Sequence, residues 1–187
     1  MRQGLQDKLK ARYPELLKNL DGDASSTPLA AWGIECPDGW YRLLDMLCRT
    51  VSKEAAWINE KHPELGFKVA AEQIKEKFGT MRFYYSLDLH SDQSFQELPL
   101  ELKARTDMVM FTIRGAVSLA ENLTEKVCVG CGMLTDEKSS SAFPYAQCQQ
   151  CADVRAKRQG YALNRLSELD EELGLYNPPA DKDNEKE

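Results

Sequence analysis

Long apolar runs are missing from this chain. None approaches the roughly 20 consecutive apolar residues that span a bilayer, so no membrane partner is expected. The opening stretch MRQGLQDKLKARYPELLKNL is charged throughout and has no apolar h-region. A secretory signal is therefore not expected, and cytoplasmic residence is. Histidine is scarce, with two residues, His62 and His90. A cysteine nucleophile needs a nearby base. His62 precedes Pro63 at a helix end, and His90 sits in a polar loop, so neither has a catalytic setting.

A basic excess is missing too. The net charge is −6, and the tail from Ser167 to Glu187 accounts for it with eight acidic against two basic residues. The rest of the chain is neutral, which argues against a generic nucleic-acid binder and against an acidic DNA mimic. The tail reads as a solvated, disordered end.

The 187 residues, 42% hydrophobic and 29% charged, allow one domain with a real core and a small appended module. Leu5, Leu9, Leu16, Leu17 and Leu20 can share a helical face over the first twenty residues, with Pro14 restarting a second helix. DGDASSTPL (21–29) is a loop by composition. Asp38 then suits the N-cap of a helix in which Trp40, Leu43, Leu44, Leu47, Val51 and Ile58 have helical spacing. HPELG (62–66) ends it. Phe67, Val69 and Ala71 alternate with polar or small neighbours, as do Met81, Phe83, Tyr85 and Leu87. That is the period of two strands, joined as a β-hairpin at Phe78-Gly79. From Leu100 to about Val127 a long helix is predicted, with Val109, Ile113, Ala116, Ala120, Leu123 and Val127 facing the sheet. A last helix follows the cysteines, with Ala162, Leu166, Leu169 and Leu173 on one side and Gly174 at its end.

Six cysteines in a reducing compartment should be free thiols or metal ligands. Cys128 and Cys131 are two residues apart, as are Cys148 and Cys151, and sixteen residues lie between the pairs. This is the spacing of a zinc site. Four thiolates saturate tetrahedral zinc and leave no open position, so one structural Zn2+ is expected, without Lewis-acid chemistry. Gly130 and Gly132 suit the tight knuckle turns. Cys48 lies among Leu44, Leu47 and Val51 and reads as core, as do Trp32, Trp40 and Trp57. Cys36 has no assigned role.

Two basic groups stand out. Arg155, Lys157, Arg158 and Arg165 follow the zinc unit, and three of them fall within about 80° on a helix. Lys75, Lys77 and Arg82 decorate the hairpin beside Tyr84 and Tyr85. Both are candidate surfaces for a partner or for phosphate, though solvated helix and sheet faces look the same in sequence. Gln73-Ile74-Lys75 also matches half of a metal-dependent nuclease pattern, but no aspartate on a neighbouring strand can be assigned.

GIECPDGW, KEKFGTMRFYY, a helix containing AEN and then CxxCG…CxxC occur in that order over about residues 32–152. In this the chain resembles a family of proteins encoded in bacteriophages and prophages. The resemblance implies a mobile-element origin and a zinc-binding C-terminal unit, and carries no catalytic role. Small proteins from that habitat often bind host machinery, including defence systems.

The expected fold is α+β: a small antiparallel hairpin sheet packed with long helices, plus a four-cysteine knuckle between the last two helices. The expected units are an α+β body (1–127), a zinc unit (128–151), a C-terminal helix (152–174) and an acidic tail (175–187). The favoured function is non-enzymatic binding of a host or bacterial protein. The alternative is a nucleic-acid-binding zinc-ribbon regulator.

Overall fold

The computed structural model describes residues 1–89 and 98–157. The elements run α1 (Gln3–Arg12), α2 (Pro28–Trp32), β1 (Ile34–Glu35), α3 (Tyr41–Lys61), β2 (Phe67–Lys77), β3 (Thr80–Leu89), α4 (Leu100–Leu123) and α5 (Gln149–Lys157). The α+β expectation is met. α3 packs on β2, α4 packs on β3, and the two helices pack on each other. No helix of the described residues is long and apolar enough to cross a membrane.

The hairpin is longer than its alternation suggests, and a bulge explains why. β2 and β3 pair antiparallel from Phe67↔Leu89 to Lys77↔Thr80, with one register shift between Ala71 and Gln73. A bulge inserts one residue and reverses which side chains face inward. Phe67, Val69 and Ala71 are buried before it; Ile74 is buried after it. The backbone groups of Ala71 are taken up outside the hairpin. Its N–H donates to Leu16 O at 2.8 Å, and its carbonyl accepts from Asn19 Nδ2 at 2.8 Å.

A third strand was not foreseen. β1 lies parallel to β2, with Ile34↔Ile74 and Glu35↔Lys75 in register, so the sheet order is β1-β2-β3. The free edge of β3 is also covered in part. Met81 N–H donates to Thr124 Oγ1 at 3.0 Å, and Phe83 N–H to Glu121 Oε1 at 2.8 Å. Side chains from the end of α4 thus replace a missing strand and block edge pairing.

Several local expectations fail for identifiable reasons. Pro14 starts no second α-helix. Its missing N–H helps end α1 at Arg12, and the chain continues through turn residues into a single 3-10 turn at Lys18–Asp21. Leu16 and Leu17, in the turn residues just before it, are buried. Asp38 does not cap α3. Its carboxylate accepts Arg2 N–H at 2.7 Å and pairs with the Arg2 guanidinium at 2.6 Å, and α3 begins at Tyr41 after a 3-10 turn, Asp38–Trp40. Trp32 is 71% exposed rather than core, because Leu29 takes the inward position of short α2. Trp40 is fully buried and Trp57 packs half-buried on the core. α4 ends at Leu123 instead of Val127, and Val117 rather than Ala116 completes its buried row.

Asp45 is a buried acid on α3. It accepts from Tyr13 Oη at 3.0 Å and Arg12 Nη1 at 3.1 Å, with Arg49 at 3.7 Å. A buried carboxylate held by several donors is tolerated, and removing one donor is costly. Burial, then the hydrogen bond to Asp45, pushes the Tyr13 phenol up to about 12. Burial first, then nearby carboxylates (Glu76 and Glu35 for Cys36, Asp45 for Cys48), pushes the Cys36 thiol up to about 12 and the Cys48 thiol higher still. The fold holds these protons more tightly than the unfolded chain does. Their contribution is complete below the ordinary values, 9.0 for the thiols and 10.0 for the phenol, and is lost as pH rises toward 12. The urea midpoint should therefore fall steadily above about pH 9, and Tyr13→Phe should flatten part of that fall. A midpoint independent of pH up to about 11 would contradict this.

Candidate metal centre and its neighbouring surface

The four cysteines come together. Their sulfurs all lie within 4.8 Å of one another, with Cys131 Sγ and Cys148 Sγ 3.7 Å apart. Four sulfurs about 2.3 Å from a central ion have edges of roughly 3.8 Å, so the cluster could hold one metal ion. Each pair is set by a turn. Cys128 N–H donates to Met133 O at 2.8 Å and Gly132 N–H to Cys128 O at 3.0 Å. Gly132 has φ +76°, the left-handed value a knuckle needs. On the other side Cys151 lies on the first turn of α5, and Cys148 N–H points at Cys128 Sγ at 3.4 Å. Such N–H···S contacts stabilise thiolates. The Glu137 carboxylate accepts Gln149 N–H at the start of α5, where a negative charge complements the helix dipole.

Sulfurs this close cannot all be ionised without a cation. Hydrogen bonds from Cys131 and Cys151 hold the Cys128 thiol well below its usual range. The same bonds push Cys131 up to about 11 and Cys151 further. Cys128 is fully buried and Cys131 nearly so. The donor set is all-sulfur and closed, which fits a structural ion and leaves no place for substrate at the metal.

The unit docks on the body through contacts that its sequence does not announce. Gly39 N–H donates to Val129 O at 3.1 Å, and a Cβ at Gly39 would lie 2.3 Å from the Cys128 carbonyl oxygen. A Cβ at Gly132 would lie 2.5 Å from Gly39 O. Two backbones meet here with no room for a side chain. Next to them the buried Trp40 indole donates to Val127 O at 3.0 Å. The knuckle therefore sits on the turn leading into α3, and not simply between the last two helices.

Its insert reaches the hairpin tip. Phe78 (φ +53°) and Gly79 (φ +82°) form the two-residue turn, with Gly79 N–H held by Glu76 Oε1 at 2.6 Å. A Cβ at Gly79 would lie 2.5 Å from Pro144 O. Beside this contact the Phe78 and Phe143 rings are 5.3 Å apart, and each is 62% exposed. A phenylalanine with positive φ is uncommon and costs on the order of 1 kcal/mol.

The predicted basic residues divide around this surface. Lys77 Nζ stands 5.3 Å from the Phe78 ring and Lys75 Nζ 5.6 Å from the Tyr84 ring. Arg82 is committed locally, donating to Thr80 Oγ1 at 2.6 Å and Met81 O at 2.8 Å. Arg155 donates to Tyr145 Oη and lies 5.9 Å from that ring. Tyr145 follows Pro144, so Arg155 belongs to the insert's surroundings. Lys157 is the last residue of α5. Arg158, Arg165, the helix face of Ala162, Leu166, Leu169 and Leu173, and the acidic tail lie outside the described residues, as does His90.

Compared with protein-family models, curated proteins and solved structures, the chain matches none.

Proposed function

We propose that this is a non-enzymatic binding protein in which one structural zinc ion fixes a recognition surface. The observation that supports it is the aromatic pair Phe78–Phe143, two large exposed rings in contact at the junction of hairpin tip and zinc insert. Leaving both rings in water is unfavourable, and holding one in a left-handed conformation adds strain. Such features gather at working sites. Aromatic residues with a neighbouring arginine also have the composition of binding hot spots. The intended ligand is a protein, and a host protein if the chain comes from a phage, as the family resemblance implies.

A catalytic role has little to rest on. The Cys36 and Cys48 thiols are buried and hard to ionise. His62 stands 3.4 Å from Glu64 on the turn after α3. The residues in register with Lys75 are Glu35 and Arg82, where the nuclease pattern asks for aspartate.

Phe78→Ala combined with Phe143→Ala should abolish capture of a partner from host lysate, by about 100-fold or more in affinity, while metal content and unfolding midpoint stay unchanged. Equal capture by wild type and double variant would refute the surface assignment. The second reading, nucleic acid, draws on Lys75, Lys77 and Arg155 standing over aromatic rings. It requires binding that weakens steeply with salt and survives protease treatment of the ligand.

A further inference from the structure

α4 is apolar on two sides. Its buried row of Thr106, Val109, Ile113, Val117 and Ala120 faces the body. On the far side Ala104, Met108, Phe111, Gly115 and Leu119 fall within about 80° of one another at 100° per residue. Met108 is 54% exposed, Phe111 68% and Leu119 61%. No charged residue interrupts this stripe over the four turns from Ala104 to Leu119. A helix apolar on both sides is normally covered on both, and a contiguous exposed row of this kind marks an interface. It does not depend on the function proposed above.

The pattern along the stripe is self-complementary. Asp107 and Arg114 flank one edge, one heptad apart, within about 20° of each other around the helix. A two-fold axis crossing α4 between residues 110 and 111 reverses the second copy and keeps that edge on the same side. Asp107 of each copy then stands level with Arg114 of the other, twice. In the same register Met108 comes level with the space between Phe111 and Gly115 of the second copy, and Ala104 with the space between Gly115 and Leu119. Large residues meet gaps, and Gly115, which has nothing within 4 Å of its Cβ position, supplies the widest one. Antiparallel helix pairs place matching edge positions opposite each other in this way, and two-fold dimers are the commonest soluble assembly.

We infer that the outward stripe of α4 is the interface of an antiparallel two-fold dimer with a second copy of this chain. A single helix pair buries less than a standard interface, so the dimer should be reversible and seen best at tens of micromolar.

The test is sedimentation of the full chain over a concentration series. Wild type should shift from monomer to dimer. Phe111→Glu should leave a monomer at every concentration, with unchanged metal content and, at dilutions where wild type is also monomeric, an unchanged melting curve, since the side chain is outside the core. Arg114→Asp should weaken dimerisation by about tenfold through two like-charge pairs, and Asp107→Arg with Arg114→Asp should restore it. The restoration is specific to this register. A wild-type monomer throughout overturns the inference. So does a dimer unaffected by Phe111→Glu, or an Arg114→Asp loss that the exchanged pair fails to rescue.

Discussion

Withdrawing the proposed zinc ion is expected to release residues 128–151 from the body while α3 and the sheet stay folded. The reason is what the segment lacks. Apart from Cys128 and Cys131, the one buried residue between 128 and 151 is Ala146. There is no apolar core to hold the ribbon once the ion is gone. A structural zinc set of this type contributes on the order of 10 kcal/mol to the segment it orders, far more than the segment's turns supply. A strong chelator, or Cys131→Ser, should therefore expose the amides of Val129, Gly132 and Ser139. These now donate to Ala146, Cys128 and Tyr145 at 2.9, 3.0 and 2.9 Å. Hydrogen exchange reads the change residue by residue. Amides in the middle of α3 should keep their protection. Elemental analysis should find about one zinc per chain. Insert amides that stay protected after complete chelation would mean that something other than the ion holds the ribbon.

The second large effect lies at Trp40. Its side chain is fully inaccessible, and its indole N–H reaches Val127 O across 87 positions in the chain. Trp40→Ala removes the largest buried side chain and strands a buried carbonyl. Large-to-small changes of this size cost about 3–5 kcal/mol, and the orphaned acceptor adds to that. Urea unfolding should show a loss in that range, with the zinc ligands still able to bind metal but the knuckle no longer seated. Trp40→Phe keeps most of the ring and should lose about 1–3 kcal/mol. A loss below about 1 kcal/mol for the alanine variant would show that the cavity is refilled by its neighbours.

What could be read from the sequence was local chemistry. Two Cys-x-x-Cys pairs are visible because two intervening residues are what a shared ion demands, whatever surrounds them. The α3 and α4 stripes are visible because helical contacts recur every three or four residues. The bulge at Ala71 was hidden because it is a property of two strands and of Leu16 and Asn19 together. β1 was hidden because two residues carry no period. Gly39 was hidden because its meaning is the backbone of Cys128 and Val129 pressed against it. Phe78 and Phe143 each looked ordinary until the hairpin tip met the insert. The misplaced Trp32 is the converse case. Composition put it inside, and a five-residue helix has room for one inward side chain, which is Leu29.

The seat of the knuckle also sets an order of events during synthesis. Trp40 emerges early, whereas Val127 follows 87 residues later, with the first cysteine of the cluster directly after it. At roughly 5–20 residues per second, that gap is on the order of 4–17 s. For that interval the nascent chain carries a bare indole and a shelf cut to fit a backbone not yet made. The bond from the Trp40 indole to Val127 O closes only after that interval.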